Sequence, residues 1–94
     1  MNLIKKMIVK RKINNLYYDM KEACFKTAND WRNNKITETS AICVYKGIAR
    51  YATVRYKHIF ESYGINNADA KNDARFEEMI SDIEETINNM QSSF

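Results

Sequence analysis

Residues 45–60 read YKGIARYATVRYKHIF, and the fold turns on whether this stretch is one helix or two. Basic or imidazole side chains (Lys46, Arg50, Arg55, Lys57 and His58) interleave here with Tyr45, Tyr51 and Tyr56. On a wheel of about 100° per residue, residues 48–63 continue the phase of residues 41–45, as one unbroken helix would. The stretch is therefore expected to be the middle of a long helix, with tyrosines inside and a lysine-arginine stripe outside.

Outward from it, the same phase covers about 38–63. The apolar arc is broad: Ala41, Ile42, Val44, Tyr45, Ile48, Ala49, Tyr51, Ala52, Tyr56, Ile59, Phe60 and Tyr63. So wide an arc suits a helix packed against two neighbours. Thr37 or Thr39 supplies the N-terminal cap, and Gly64 stands where a left-handed C-terminal cap belongs. Before it, Val9, Ile13, Leu16, Tyr17, Met20, Ala23, Cys24, Thr27, Ala28 and Trp31 share one face of a helix over about 5–32. Asn33 and Asn34 then provide turn residues that tolerate left-handed backbone. After it, Phe76, Met79, Ile80, Ile83, Ile87 and Met90 form a narrow stripe on a helix over about 68–90. Asn66 or Asn67 would cap that helix, with Asp69 and Asp73 near the positive end of its dipole. Short connections make consecutive helices antiparallel neighbours. The expected fold is all-α, a three-helix antiparallel bundle forming a single domain over residues 1–94.

Composition agrees. A chain of 94 residues with no proline and only two glycines favours uninterrupted helices over turn-rich β architecture. It is long enough for one core but not for a cleft between domains. Asn, Lys and Ile are common, and their AT-rich codons suggest a low-GC bacterium, its phage or a mobile element. No apolar run approaches the roughly 20 residues of a membrane span. Lysines interrupt every apolar run of MNLIKKMIVKRKI, unlike a secretory signal, so a cytoplasmic protein with no membrane partner is expected.

Charge is unevenly placed. Residues 1–33 carry eight Lys/Arg and three acids, a net +5; residues 34–64 carry five and two, a net +3. Residues 65–94 carry two and seven, a net −5. Two basic segments are thus followed by an acidic one, which either neutralises them or forms a separate surface.

Several side chains stand out against this frame. Arg55 falls inside the apolar arc between Ile48 and Ile59. A buried guanidinium is costly unless paired, so it either reaches the bundle edge, pairs with Glu77 or Glu84, or waits in a groove for a partner. Lys46, Arg50, Thr53 and Lys57 form a straight stripe opposite the core, able to track phosphates. On the first helix, Ile4, Met7, Tyr18 and Phe25 lie opposite its core face, and an aligned apolar row suggests an interface with another protein or a second copy. The order of small residues, Gly47-Ile48 and Thr53-Val54 resembles a helix-turn-helix. Thr53-Val54 falls one residue later after Gly47 than that pattern usually allows.

Catalytic chemistry is thinly supplied. His58 has no evident nucleophile or orienting acid, and no zinc spacing or glycine-rich phosphate loop occurs. Cys24 and Cys43 are expected as free thiols. The leading expectation is a small non-enzymatic regulatory or inhibitory protein that binds another protein, with no cofactor, metal or small-molecule substrate. Met7, Tyr18, Phe25 and Arg55 are its candidate contacts. One alternative is a helix-turn-helix-like nucleic-acid-binding module using Lys46, Arg50, Thr53 and Lys57; another is an immunity-type helical bundle.

Overall fold

The computed structural model describes residues 3–64 and 74–92, and these form three helices with no strand among them. They are α1 (Leu3–Arg32), α2 (Glu38–Ser62) and α3 (Ala74–Ser92). The 30 residues of α1 span about 45 Å at 1.5 Å per residue. That one element nearly accounts for the long axis of a molecule measuring 50 × 21 × 17 Å.

The boundaries follow from local chemistry. Asn34 takes φ 60° and ends α1. Around it, the Lys35 N–H donates to the Asp30 carbonyl at 2.8 Å, and the Asn34 N–H donates to the Trp31 carbonyl at 3.1 Å. These are the two bonds of a Schellman motif, which satisfies carbonyls the helix leaves without partners. Thr37 then caps α2: its Oγ1 accepts from the Ser40 N–H at 3.1 Å. Gly64, at φ 70°, follows the last turn of α2 and donates its N–H to the Glu61 carbonyl at 3.0 Å. α2 runs unbroken through Gly47. A helix-turn-helix with its turn at Gly47 is thereby overturned: the phase of residues 41–63 is that of one helix. The start expected for α3 near residue 68, with Asn66, Asn67, Asp69 and Asp73, lies outside the described residues.

The core has two clusters. Val9, Ile13, Leu16 and Met20 of α1 pack with Ala52 and Ile59 of α2 and Phe76 of α3. Ala41 and Tyr45 of α2 pack with Ile83, Ile87 and Met90 of α3. Ile48 and Met79 border both clusters. Val9 to Met20 of α1 thus meet Ala52 and Ile59 in the second half of α2, and Ala41 and Tyr45 in its first half meet Ile83, Ile87 and Met90 of α3. An aromatic chain joins all three helices: Tyr17 lies 6.0 Å from Phe76, Phe76 lies 4.7 Å from Tyr56, and Tyr56 lies 4.9 Å from Phe60. Polar pairs bridge the same region. Arg75 donates to Asn14 Oδ1 at 2.9 Å and stacks 4.8 Å from the Tyr17 ring, while Lys12 sits 5.3 Å over Tyr63.

Three residues assigned to core faces lie outside instead. Val44 and Tyr51 are exposed on α2, and Trp31 is partly exposed in the last turn of α1. The buried positions of α2 are Ala41, Tyr45, Ala52 and Ile59, a seam of one-turn and two-turn steps that is narrower than the apolar arc. Val44 and Tyr51 fall at the arc's edge, beyond the reach of both neighbouring helices.

Candidate interaction surface

The surface divides by helix. Large apolar side chains remain exposed at Leu3, Ile4, Met7, Ile8, Tyr18, Phe25 and Trp31 of α1 and at Val44, Tyr51 and Val54 of α2; among the described residues α3 has none. The same two helices carry the positive charge. α1 has eight Lys/Arg and three acids, a net +5. α2 has four and two, a net +2, whereas α3 has one Arg against five acids, a net −4. The exposed apolar side chains and the positive charge thus belong to the same two helices, and α3 is polar and acidic.

On α1, Met7, Tyr18 and Phe25 are all exposed where the wheel places them, opposite Val9, Ile13, Leu16 and Met20. Tyr18 does not swing freely. Its ring stands edge-on to Tyr17 at 5.4 Å, and Tyr17 is itself fixed by Phe76 and Arg75. An exposed ring braced from beneath loses little freedom on docking.

On α2, Arg55 is exposed. Of the three outcomes expected for it, the structure supports reaching the bundle edge: no ion pair joins it to Glu77, Glu84 or any other described residue. The wheel explains this, because Arg55 shares the angular sector of Val44 and Tyr51, which is also outside. Sequence reasoning missed that sector. The signal was available in the seven-residue spacings of Val44 to Tyr51 and of Gly47 to Val54, a second helical stripe beside the core seam.

The basic stripe is also exposed: Lys46, Arg50, Thr53 and Lys57 lie along one line of α2. Two of the four have partners. The Thr53 hydroxyl donates to the Ala49 carbonyl at 2.8 Å, and the Lys57 ammonium lies 3.8 Å from Glu61. Met7, Tyr18 and Phe25 form one row, Arg55 and the basic stripe occupy two other sectors of α2, and the structure does not bring these together into a single pocket.

For chemistry the described residues offer little. No group of three His, Cys, Asp or Glu among them could hold a metal. Ser62 Oγ lies 3.4 Å from His58 Nε2, but its hydroxyl donates to the His58 carbonyl at 2.8 Å, which commits the proton a nucleophile would have to surrender. Cys24 is half-buried and Cys43 exposed, and both are free. Burial pushes the Cys24 thiol above its ordinary value. Tyr45 is raised too, first by burial and then by Cys24 nearby. No helix among the described residues is long and apolar enough to cross a membrane.

No protein-family model matches this chain, and no curated protein or solved structure matches it.

Proposed function

We propose that this chain is a small, non-enzymatic, cytoplasmic protein that regulates or inhibits another protein by binding it. One observation carries the reading: among the described residues the exposed large apolar side chains are confined to α1 and α2, the two cationic helices. Scattered apolar residues are ordinary on any surface, but rows aligned on two adjacent helices are the make-up of an interface core with a polar rim. Met7, Tyr18 and Phe25 are the contacts on α1, and Arg55 with Tyr51 and Val54 those on α2. Tyr and Arg are the side chains most often found to dominate binding energy.

The test is capture by the immobilised full chain from a bacterial lysate, followed by calorimetry with the purified partner. Tyr51→Lys with Arg55→Glu should weaken binding about 30-fold or more while leaving the circular dichroism spectrum unchanged, and Tyr18→Lys with Phe25→Lys reports whether α1 shares the contact. Binding that survives both pairs of substitutions would overturn the proposal.

The alternative, a nucleic-acid-binding module, draws on the exposed line of Lys46, Arg50 and Lys57. Its weakness is that Lys57 is near Glu61 and the α3 acids offset the basic helices. Duplex binding that falls steeply with salt and disappears in Lys46→Glu/Arg50→Glu/Lys57→Glu would favour it.

A further inference from the structure

We infer that the row on the back of α1 is covered by a second copy of this chain, its own α1 packed antiparallel against the first. This rests on the protein-binding reading above and assigns one of its two surfaces, leaving the Tyr51–Arg55 side of α2 for a foreign partner.

The first support is area. Ile4, Met7, Tyr18 and Phe25 are 68%, 60%, 61% and 66% exposed. An aromatic side chain presents about 150–250 Å², so Tyr18 and Phe25 leave roughly 250 Å² in water. Ile4 and Met7, separated from Tyr18 by Arg11 and Asn14, bring the exposed apolar area of the row to on the order of 500 Å² in two parts. A stable interface needs about 800 Å² from each partner, so the exposed Arg11 and Lys21, on the same side of α1, would lay their stems along it too.

The second support is symmetry. A two-fold interface requires that if residue i meets residue j, then j meets i. Positions 4 and 25 are equally far from the Asn14–Asn15 midpoint, and so are positions 11 and 18. An axis through that midpoint puts Ile4 level with Phe25 of the second copy and Arg11 level with Tyr18 of the second copy, each pair occurring twice. The apolar pair closes both ends of a row about 32 Å long. In the inner pairs, a guanidinium meets the face of an aromatic ring that Tyr17 already holds in place. The row is straight along one helix, so no backbone change is needed to present it.

The charge on α1 gives this interface an unusual signature. Two helices of net +5 repel, so self-association driven by apolar burial strengthens as salt screens them. Docking of an anionic partner on the same face would weaken instead.

The experiment is sedimentation equilibrium on the full chain. Expected are a monomer of 11.1 kDa at high dilution and twice that mass by about 100 μM, a micromolar affinity, with the midpoint moving to lower concentration as salt rises towards about 0.5 M. Ile4→Asp alone and Phe25→Lys alone should each return the chain to monomer with its helicity intact. A mixture of the I4D and F25K chains should dimerise again, because one end of the pair then places opposite charges face to face. A parent that stays monomeric at about 100 μM, or a dimer that neither substitution weakens, or a mixture that stays monomeric, would overturn the inference. If the parent is monomeric yet a foreign protein binds through Tyr51 and Arg55, the dimer falls and the proposed function stands.

Discussion

Gly47 and Gly64 allow the reading of α2 to be tested by two identical substitutions with opposite expected signs. A methyl group built on either glycine meets nothing within 4 Å, so steric fit is the same for both and only backbone conformation differs. Gly47 lies inside Glu38–Ser62 with ordinary helical geometry. Alanine there gains about 0.8–1 kcal/mol, because glycine loses more conformational freedom on entering a helix. Gly64 sits at φ 70°, where a side chain clashes with its own backbone. Alanine there should cost roughly 1 kcal/mol. For a chain of this size 1 kcal/mol moves the melting temperature by about 4–8 °C. It moves a urea midpoint by roughly half a molar at a slope near 2 kcal/mol per molar. Melts followed at 222 nm and urea titrations of Gly47→Ala and Gly64→Ala should therefore bracket the parent, one above and one below. A destabilised Gly47→Ala would mean the chain breaks there, reviving the two-helix reading of residues 41–63. A stabilised Gly64→Ala would refute the left-handed cap.

Further expectations bear on the core, the cap and the titrating groups. Ile83→Asp should unfold the domain, costing more than about 4 kcal/mol, because an unpaired charge enters the α2–α3 cluster; a variant that melts like the parent would refute that packing. Thr37→Ala should cost about 1 kcal/mol in urea unfolding, since the Ser40 N–H loses its acceptor. Folding raises the Cys24 and Tyr45 pKa values from their ordinary 9.0 and 10.0. Both groups favour their neutral forms in the fold, so this stability is intact below pH 9 and declines as pH rises through and beyond the unfolded values; chemical denaturation from pH 7 to 11 reads it. At pH 8 a thiol reagent should modify exposed Cys43 well before Cys24, followed by mass spectrometry of the labelled peptides.

How much of this was legible depends on the kind of information each residue carries. Asn34, Thr37 and Gly64 could be read locally, because a left-handed turn residue or a capping hydroxyl needs only its own few neighbours. The stripe Phe76, Met79, Ile80, Ile83, Ile87 and Met90 was equally plain: it is narrow, and every member is buried or half-buried. Val44, Tyr51, Trp31 and Arg55 were not. A wheel gives a side chain's angle, but burial also depends on where the neighbouring helix ends its coverage, which is set by residues distant in sequence. On α2, with more apolar positions than two neighbours can cover, the surplus could be placed only once the packing was known. The α1 row was visible from the start because it lies opposite the core, where no packing arrangement within a three-helix bundle would hide it.

The slender outline has a hydrodynamic consequence. The radius of gyration is 15.3 Å, whereas a compact chain of this length would have about 12 Å. A body more than twice as long as it is wide drags more water than a sphere of equal mass and enters fewer pores of a sizing column. One copy will therefore elute ahead of its 11.1 kDa, towards the position of a larger globular standard. Tumbling will also be anisotropic, so amide relaxation should differ between N–H vectors along the long axis and those in the turn at Asn33–Ile36. Mass measured without reference to shape, by light scattering or sedimentation equilibrium, separates an elongated single chain from a pair.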